Sequence, residues 1–219
     1  MSSKTGKLIV IEGTDGSGKA TQAATLVARL KSQGHKVATF SFPQYENKSA
    51  GLIEKYLAGC YGPADSVNPY AASLFYALDR FDISEKIRKL LADGFVVVAD
   101  RYVDSNAGHQ GGKISDDDAR SDYLEWLYDT EYRILQIPKP DVVIILRVPA
   151  ETAQKMTSDG DGHESNLEHL RNAENAYLWL SQRHHNDHPL IECAQGGHFL
   201  SPVEIHNKIY ELLKTRQLI

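Results

Sequence analysis

An apolar run, Leu8-Ile9-Val10-Ile11, is followed by Glu12 and then by Gly13-Thr14-Asp15-Gly16-Ser17-Gly18-Lys19-Ala20-Thr21. Beyond it, Ala23, Leu26, Val27 and Leu30 recur at helical spacing, with Gly34 as a stop. Few folds accept that order, because a buried strand must feed straight into a helix through a turn of glycines. Such a turn lets backbone N–H groups curl around a phosphate chain, and the helix N-terminus adds a favourable dipole. Lys19 brings a point charge suited to β- and γ-phosphates. An ordinary glycine-rich turn does not need Gly18-Lys19 in this register after a strand, so phosphate binding is the stronger reading. One position departs from the pattern. Ala20 stands where Ser or Thr offers Mg2+ a hydroxyl, and Thr21, turned by about 100° around the helix, does not replace it. Mg2+ is therefore expected to be held mainly by nucleotide and water, with Asp100 as the protein carboxylate that steadies it. Asp100 follows the apolar run Phe95–Ala99 and so belongs at a strand's C-terminal edge, where open sheets bind ligands.

Further apolar runs, Val37–Phe42, Phe95–Ala99, Val142–Val148 and Leu190–Cys193, are rich in Val and Ile and scarcely alternate. Runs of that kind suit parallel strands covered on both faces. Helical patterns separate them. One covers Tyr70 to Leu91, closed by Gly94, and another runs from the cap cluster Ser115–Asp118 to about Leu135. Leu167–Arg183 follows, and a last helix runs from Pro202, behind the cap Ser201, to near Lys214. Strands alternating with helices make an α/β fold: a doubly wound, five-stranded parallel sheet with helices on both faces. The 219 residues, 42% apolar and 24% charged, fit a single domain over 1–219. Ser158–Gly162 reads as a loop between two helices rather than a boundary.

Lys+Arg total 24 against 29 Asp+Glu, a net charge of −5, so nucleic acid is not an expected partner. A local cationic pocket for a small phosphate ligand stays open. No apolar run nears the ~20 residues of a membrane span, so no membrane association is expected. Cys60 and Cys193 form no Cys-x-x-Cys pair and read as packed thiols in a cytoplasmic protein. His184-His185-x-x-His188 reads as an exposed helix end rather than a metal site.

Three more clusters bear on the phosphoryl acceptor. Phe42-Pro43-Gln44-Tyr45 ends the second strand; Tyr76-Ala77-Leu78-Asp79-Arg80 lies on the long helix; Asp100-Arg101-Tyr102 runs on into Ser105-Asn106-Ala107-Gly108-His109. Tyr76 and Arg80, four apart, share a helix face and can stack on and hydrogen-bond to a nucleobase. Arg101 can hold an acceptor phosphate bidentately.

With these clusters in place, nearly the whole chain resembles the thymidylate kinases, from Gly6-Lys7-Leu8 through Phe-Pro-x-Tyr, Ala-Leu-Asp-Arg, Asp-Arg-Tyr and Ser-Asn-Ala to Ser201–His206. The resemblance implies a phosphate-loop NTP hydrolase type of fold with a small lid near 156–166. It implies transfer of the γ-phosphoryl group of ATP to dTMP, with Mg2+, in a homodimer. Residue by residue, it implies that Gly13, Asp15, Gly16, Ser17, Gly18, Lys19, Ala20 and Thr21 cradle ATP. Asp15 resembles the carboxylate that faces the acceptor sugar's 3′-hydroxyl, and Phe42 and Pro43 resemble the acceptor wall. Tyr76 falls where an aromatic ring stacks on thymine, and Arg80 where an arginine reads the base edge. Arg101 resembles the phosphate clamp, and Asp100 the carboxylate near Mg2+. Ser105 and Asn106 fall in the segment lining the base, and Glu164 resembles the lid-end carboxylate. Two positions depart from the family. His109 stands where many members carry Tyr, and is expected to line the sugar pocket. Gly16 replaces a loop arginine without an arginine in Met156–Gly162, so Lys155 is expected to join Lys19 as the catalytic cation. Another nucleoside or nucleoside monophosphate kinase is the alternative. A nucleotide-binding switch is weaker, since no Asn-Lys-x-Asp tetrapeptide is present.

Overall fold

Each apolar run becomes a strand in the computed structural model, which describes residues 6–157 and 167–219, the side chains of 155–157 excepted. The strands are β1 (Lys7–Gly13), β2 (Val37–Ser41), β3 (Val96–Asp100), β4 (Val142–Arg147) and β5 (Leu190–Glu192). They form one parallel sheet in the order β2-β3-β1-β4-β5. Side chains of a strand alternate between faces, so an unbroken apolar run means that both faces are covered. Ile9, Ile11, Val98, Val142 and Ile144 enter one core, while Leu8, Val10, Val97, Val143 and Ile145 enter the other. Each such side chain contributes roughly 1.5–3 kcal/mol on full burial.

The helices are α1 (Lys19–Ser32), α2 (Gly51–Leu57), α3 (Pro69–Ala92), α4 (Asp104–His109), α5 (Asp117–Tyr128), α6 (Ala150–Thr157), α7 (Leu167–Arg183) and α8 (Pro202–Thr215). The first core receives Leu26 and Leu30 of α1 with Ile205, Ile209 and Leu213 of α8. The second receives Ile87 of α3, Ala107 of α4 and Tyr123, Leu124 and Leu127 of α5. Local chemistry sets the helix starts. Asn68 accepts from the N–H groups of Tyr70 and Ala71 ahead of α3, with Pro69 in the first turn. Ser201 and Glu204 make a reciprocal capping box on α8. A short hairpin, β6 (Ala194–Gln195) and β7 (His198–Phe199), follows β5.

Several expectations shift. The helix drawn to Leu135 is α-helical only to Tyr128 and then widens into a π-helical turn over Asp129–Ile134. That turn brings Glu131 inside, fully buried against Arg80. His188 is not at an exposed end: it is 7% exposed, and its Nε2 lies 3.2 Å from the buried Asp104 that opens α4. Cys193 is buried as expected, but Cys60 is exposed. No described helix is long and apolar enough to cross a membrane.

Sheet register positions the site. Ile11 pairs with both Asp100 and Ile144, and Ser41 also pairs with Asp100. The loop after β1, Phe42 after β2 and Asp100-Arg101 at the end of β3 therefore emerge at one C-terminal edge of the sheet, the edge at which open α/β sheets bind ligands.

Candidate active site

The loop between β1 and α1 is shaped by close approach. At Gly13 the backbone has φ of 143°, and a Cβ there would stand 2.4 Å from the Leu146 carbonyl oxygen on β4. Gly18 caps α1 in the left-handed region at φ 86°, and no side chain caps the helix. The first N–H groups of α1 are thus left for a ligand, with no acidic residue in the first turn to compete for them. The Thr14 and Ser17 hydroxyls and Asp100 Oδ1 are buried without a partner. Burial raises the Asp100 carboxyl pKa, against the opposing charges of Lys19 and Arg101. One carboxylate and two hydroxyls are hard oxygen donors of the kind Mg2+ takes alongside nucleotide and water, so the residues fit that ion.

Lys19 turns back into the loop, where its Nζ donates to the Thr14 carbonyl at 2.7 Å and lies 4.0 Å from Asp15 Oδ1. Burial and the neighbouring Arg101 push its pKa down to about 7, against the pull of Asp15, Glu12 and Asp100.

Arg101 leaves β3 in the left-handed region, at φ 65°, an uncommon conformation for a residue with a side chain. Its Nη2 donates to Asp15 Oδ1, and its Nη1 lies 3.0 Å from His109 Nε2. Burial alone would raise the Asp15 carboxyl pKa, but His109, Arg101 and Lys19 outweigh it and hold the group well below the carboxylate range. Burial pushes the His109 pKa down to about 3 despite Asp15, so the ring is neutral at pH 7. A neutral ring that accepts from Arg101 at Nε2 carries its hydrogen on Nδ1, facing His169 Nε2 of α7 at 3.4 Å.

These groups border a cavity of about 640 Å3, lined by Asp15, Phe42, Pro43, Tyr76, Arg80, Arg101, Ser105, Asn106 and His109, with Tyr45, Tyr56, Gln110 and His169. That volume lies within the ~300–1,000 Å3 of small-molecule sites. The Phe42-Pro43 peptide is cis, and the Phe42 ring meets Tyr102 edge-on at 5.6 Å. Arg80 is 1% exposed. Its Nε and Nη2 grip Glu131 at 2.7 and 2.5 Å, and its Nη1 donates to the Tyr102 carbonyl at 3.0 Å. Two of its five N–H bonds remain for a ligand.

The thymidylate kinase family model matches residues 11–193. The chain belongs to the thymidylate kinase family. Members of this family phosphorylate dTMP to dTDP with ATP as the phosphate donor. The thymidylate kinase of Mycobacterium tuberculosis is 36% identical over 147 residues, 67% of this chain and 68% of its own. The Homo sapiens enzyme is 29% identical over 160 residues, 73% and 69% of the two chains. A thymidylate kinase structure from Candida albicans shares the fold with a TM-score of 0.77 at 22% identity, over 98% of this chain and 93% of that one.

The structure brings together some of the residues read from the sequence and not others. Asp15, Arg101 and His109 are in direct contact, and Phe42, Pro43, Tyr76, Arg80, Ser105 and Asn106 share their cavity. Lys155 lies on α6, with its side chain outside the described residues, as is Glu164 and most of the lid near 156–166. Glu12, Glu131, Gln110 and His169 were missed. Glu12 did carry a signal, since a lone acid closing an apolar strand run must find buried donors. Glu131 and His169 carried none, because their roles depend on contacts with distant elements.

Proposed function

We propose that this site transfers the γ-phosphoryl group of ATP in line onto the phosphate of dTMP. The observation that carries the reading is the Asp15–Arg101 bond, which ties the donor's phosphate loop to the acceptor wall. The acceptor phosphate is already ionised at neutral pH, so positioning and charge neutralisation supply most of the catalysis. Gly13, Gly16, Ser17, Gly18, Lys19, Ala20 and Thr21 cradle ATP. Arg101 clamps the acceptor phosphate while Asp15 holds Arg101 and faces the 3′-hydroxyl. Tyr76 stacks on thymine, the two remaining N–H bonds of Arg80 reach the base edge, and Phe42, Pro43, Ser105 and Asn106 enclose it. His109 borders the sugar. Lys19 and Lys155 supply positive charge to the group in flight, and Glu164 takes the role of the family's lid-end carboxylate. Asp100, aided by the Thr14 and Ser17 hydroxyls, would hold Mg2+, which when bound neutralises charge on the donor phosphates. The lid near 156–166 excludes water that would otherwise take the phosphoryl group.

We also infer a homodimer. Leu74, Leu78 and Phe81 lie three to four residues apart along α3 and are 41%, 47% and 48% exposed, an apolar stripe that a second copy would cover. The unpaired cysteines support a cytoplasmic setting for a single domain over 1–219. The test is steady-state phosphorylation of dTMP, dCMP, dGMP, AMP and UMP with ATP and Mg2+. Preference for dTMP is expected, and ATP hydrolysis indifferent to any acceptor would overturn the reading. Lys155→Ala should lower turnover by about tenfold or more; a loss confined to nucleotide affinity would argue against its role.

A further inference from the structure

We propose that Glu12 is the positioning residue of the acceptor-phosphate clamp: its carboxylate makes the backbone turn that aims Arg101 into the site. The inference rests on the reading of Arg101 as that clamp. Glu12 precedes the phosphate loop on the central strand and is 0% exposed. A carboxylate in that position must be surrounded by donors. Its Oε1 accepts from the Tyr102 backbone N–H at 2.6 Å. Its Oε2 accepts from the Ser105 hydroxyl at 2.7 Å and the Tyr177 hydroxyl at 3.0 Å.

These donors come from three places that the acceptor site needs held together. Tyr102 follows Arg101 in the turn after β3, Ser105 lies in the first turn of the acceptor-lining helix α4, and Tyr177 belongs to α7. Tyr177 in turn meets His109 edge-on at 6.0 Å and fits against Gly108, where a Cβ would stand 2.4 Å from its ring. The turn itself shows how the device works. The N–H of Arg101 is held by the Ile11 carbonyl at 3.0 Å, and the next N–H, that of Tyr102, by the side chain of Glu12. Adjacent residues of β1 thus fix adjacent amides, one through backbone and one through side chain. Arg101 lies between them at φ 65°, and its guanidinium swings back over the loop to Asp15 and His109 instead of continuing the strand. The carboxylate is needed for its reach. The hydroxyls that meet Oε2 can turn to donate or to accept, so these contacts depend on where the two oxygens stand more than on their charge.

Reach and charge are separable. Glu12→Gln keeps the length and offers an oxygen to the Tyr102 N–H, while its amide faces two hydroxyls that can turn to accept. Glu12→Asp keeps the charge and withdraws the oxygens by one methylene. We expect Glu12→Gln to leave the KM for dTMP within about threefold, and Glu12→Asp to raise it by about tenfold or more and to lower kcat. The dissociation constant of ATP should stay within about twofold in both. Normal dTMP kinetics in Glu12→Asp, or equal losses for ATP and dTMP, would overturn the proposal. In the wild-type protein, the Tyr102 amide should exchange hydrogen as slowly as the core strands; exchange at the rate of an exposed amide would also overturn it. Arg101→Ala serves as the reference. If it leaves the dTMP KM unchanged, the clamp reading fails; if it raises the KM while Glu12→Asp does not, only the role of Glu12 fails.

Discussion

Lys19 meets opposing demands. The fold buries its ammonium beside Arg101 before any phosphate arrives, and its pKa falls to about 7 from an unfolded value near 10.4. Between those pH values the unfolded chain binds more protons than the folded one at this position, so Lys19 makes stability rise with pH across that interval. Phosphate charge reverses the balance and restores the proton. ATP binding at pH 8 should therefore take up most of one proton, read by calorimetry in buffers of different ionisation enthalpy. An enthalpy independent of buffer would sink this account. The residue itself was legible from its place in the glycine turn. Its altered acidity was not, because that depends on Arg101 and Asp100 arriving from β3.

Among the elements, α8 and α3 test different forces. The capping box makes Ser201 responsible for one of the orphan N–H groups of α8, with Ser201 Oγ 3.2 Å from the Glu204 nitrogen. Ser201→Ala should cost about 1 kcal/mol of stability, a melting temperature lower by about 2–4 °C, with turnover unchanged. A turnover loss without a stability loss would contradict that. On α3, Leu78→Glu places a charge in the exposed apolar stripe and should yield monomer by sedimentation, whereas an unchanged mass would remove the stripe from the interface. Helices with apolar periodicity and caps, such as α1, α3 and α8, could be read from sequence. The short helices α2 and α4 could not, because six or seven residues show too little periodicity and their packing decides them. The π turn after α5 was missed for a related reason: the buried Arg80–Glu131 pair that it carries joins α3 to the end of α5, a contact that local sequence does not show.

Across the whole molecule, buried charges tie the layers together, and His188 with Asp104 is a case that pH can probe. Burial lowers the His188 pKa, but Asp104 outweighs it, and the net shift is upward. Asp104 shifts the other way, since burial raises it while His188, Tyr128 and His184 lower it further. For a histidine with a raised pKa, the stabilisation is complete below the unfolded value near 6.5 and is lost as pH rises through the folded value. Between pH 6 and pH 9, the wild-type protein should lose more stability than His188→Gln, measured by urea unfolding. Parallel pH profiles would refute the pair's contribution. By itself the sequence determined the central strand, the glycine turn, the phosphate-binding helix start and the layered α/β plan, because these follow from periodicity and local backbone chemistry. Only the tertiary structure decided that Glu12 accepts from the Tyr102 N–H beside Arg101, that His109 is neutral against His169, and that Arg80 is held by Glu131. Those facts belong to groups dozens of residues apart, whose burial and protonation exist only once the layers have closed around them.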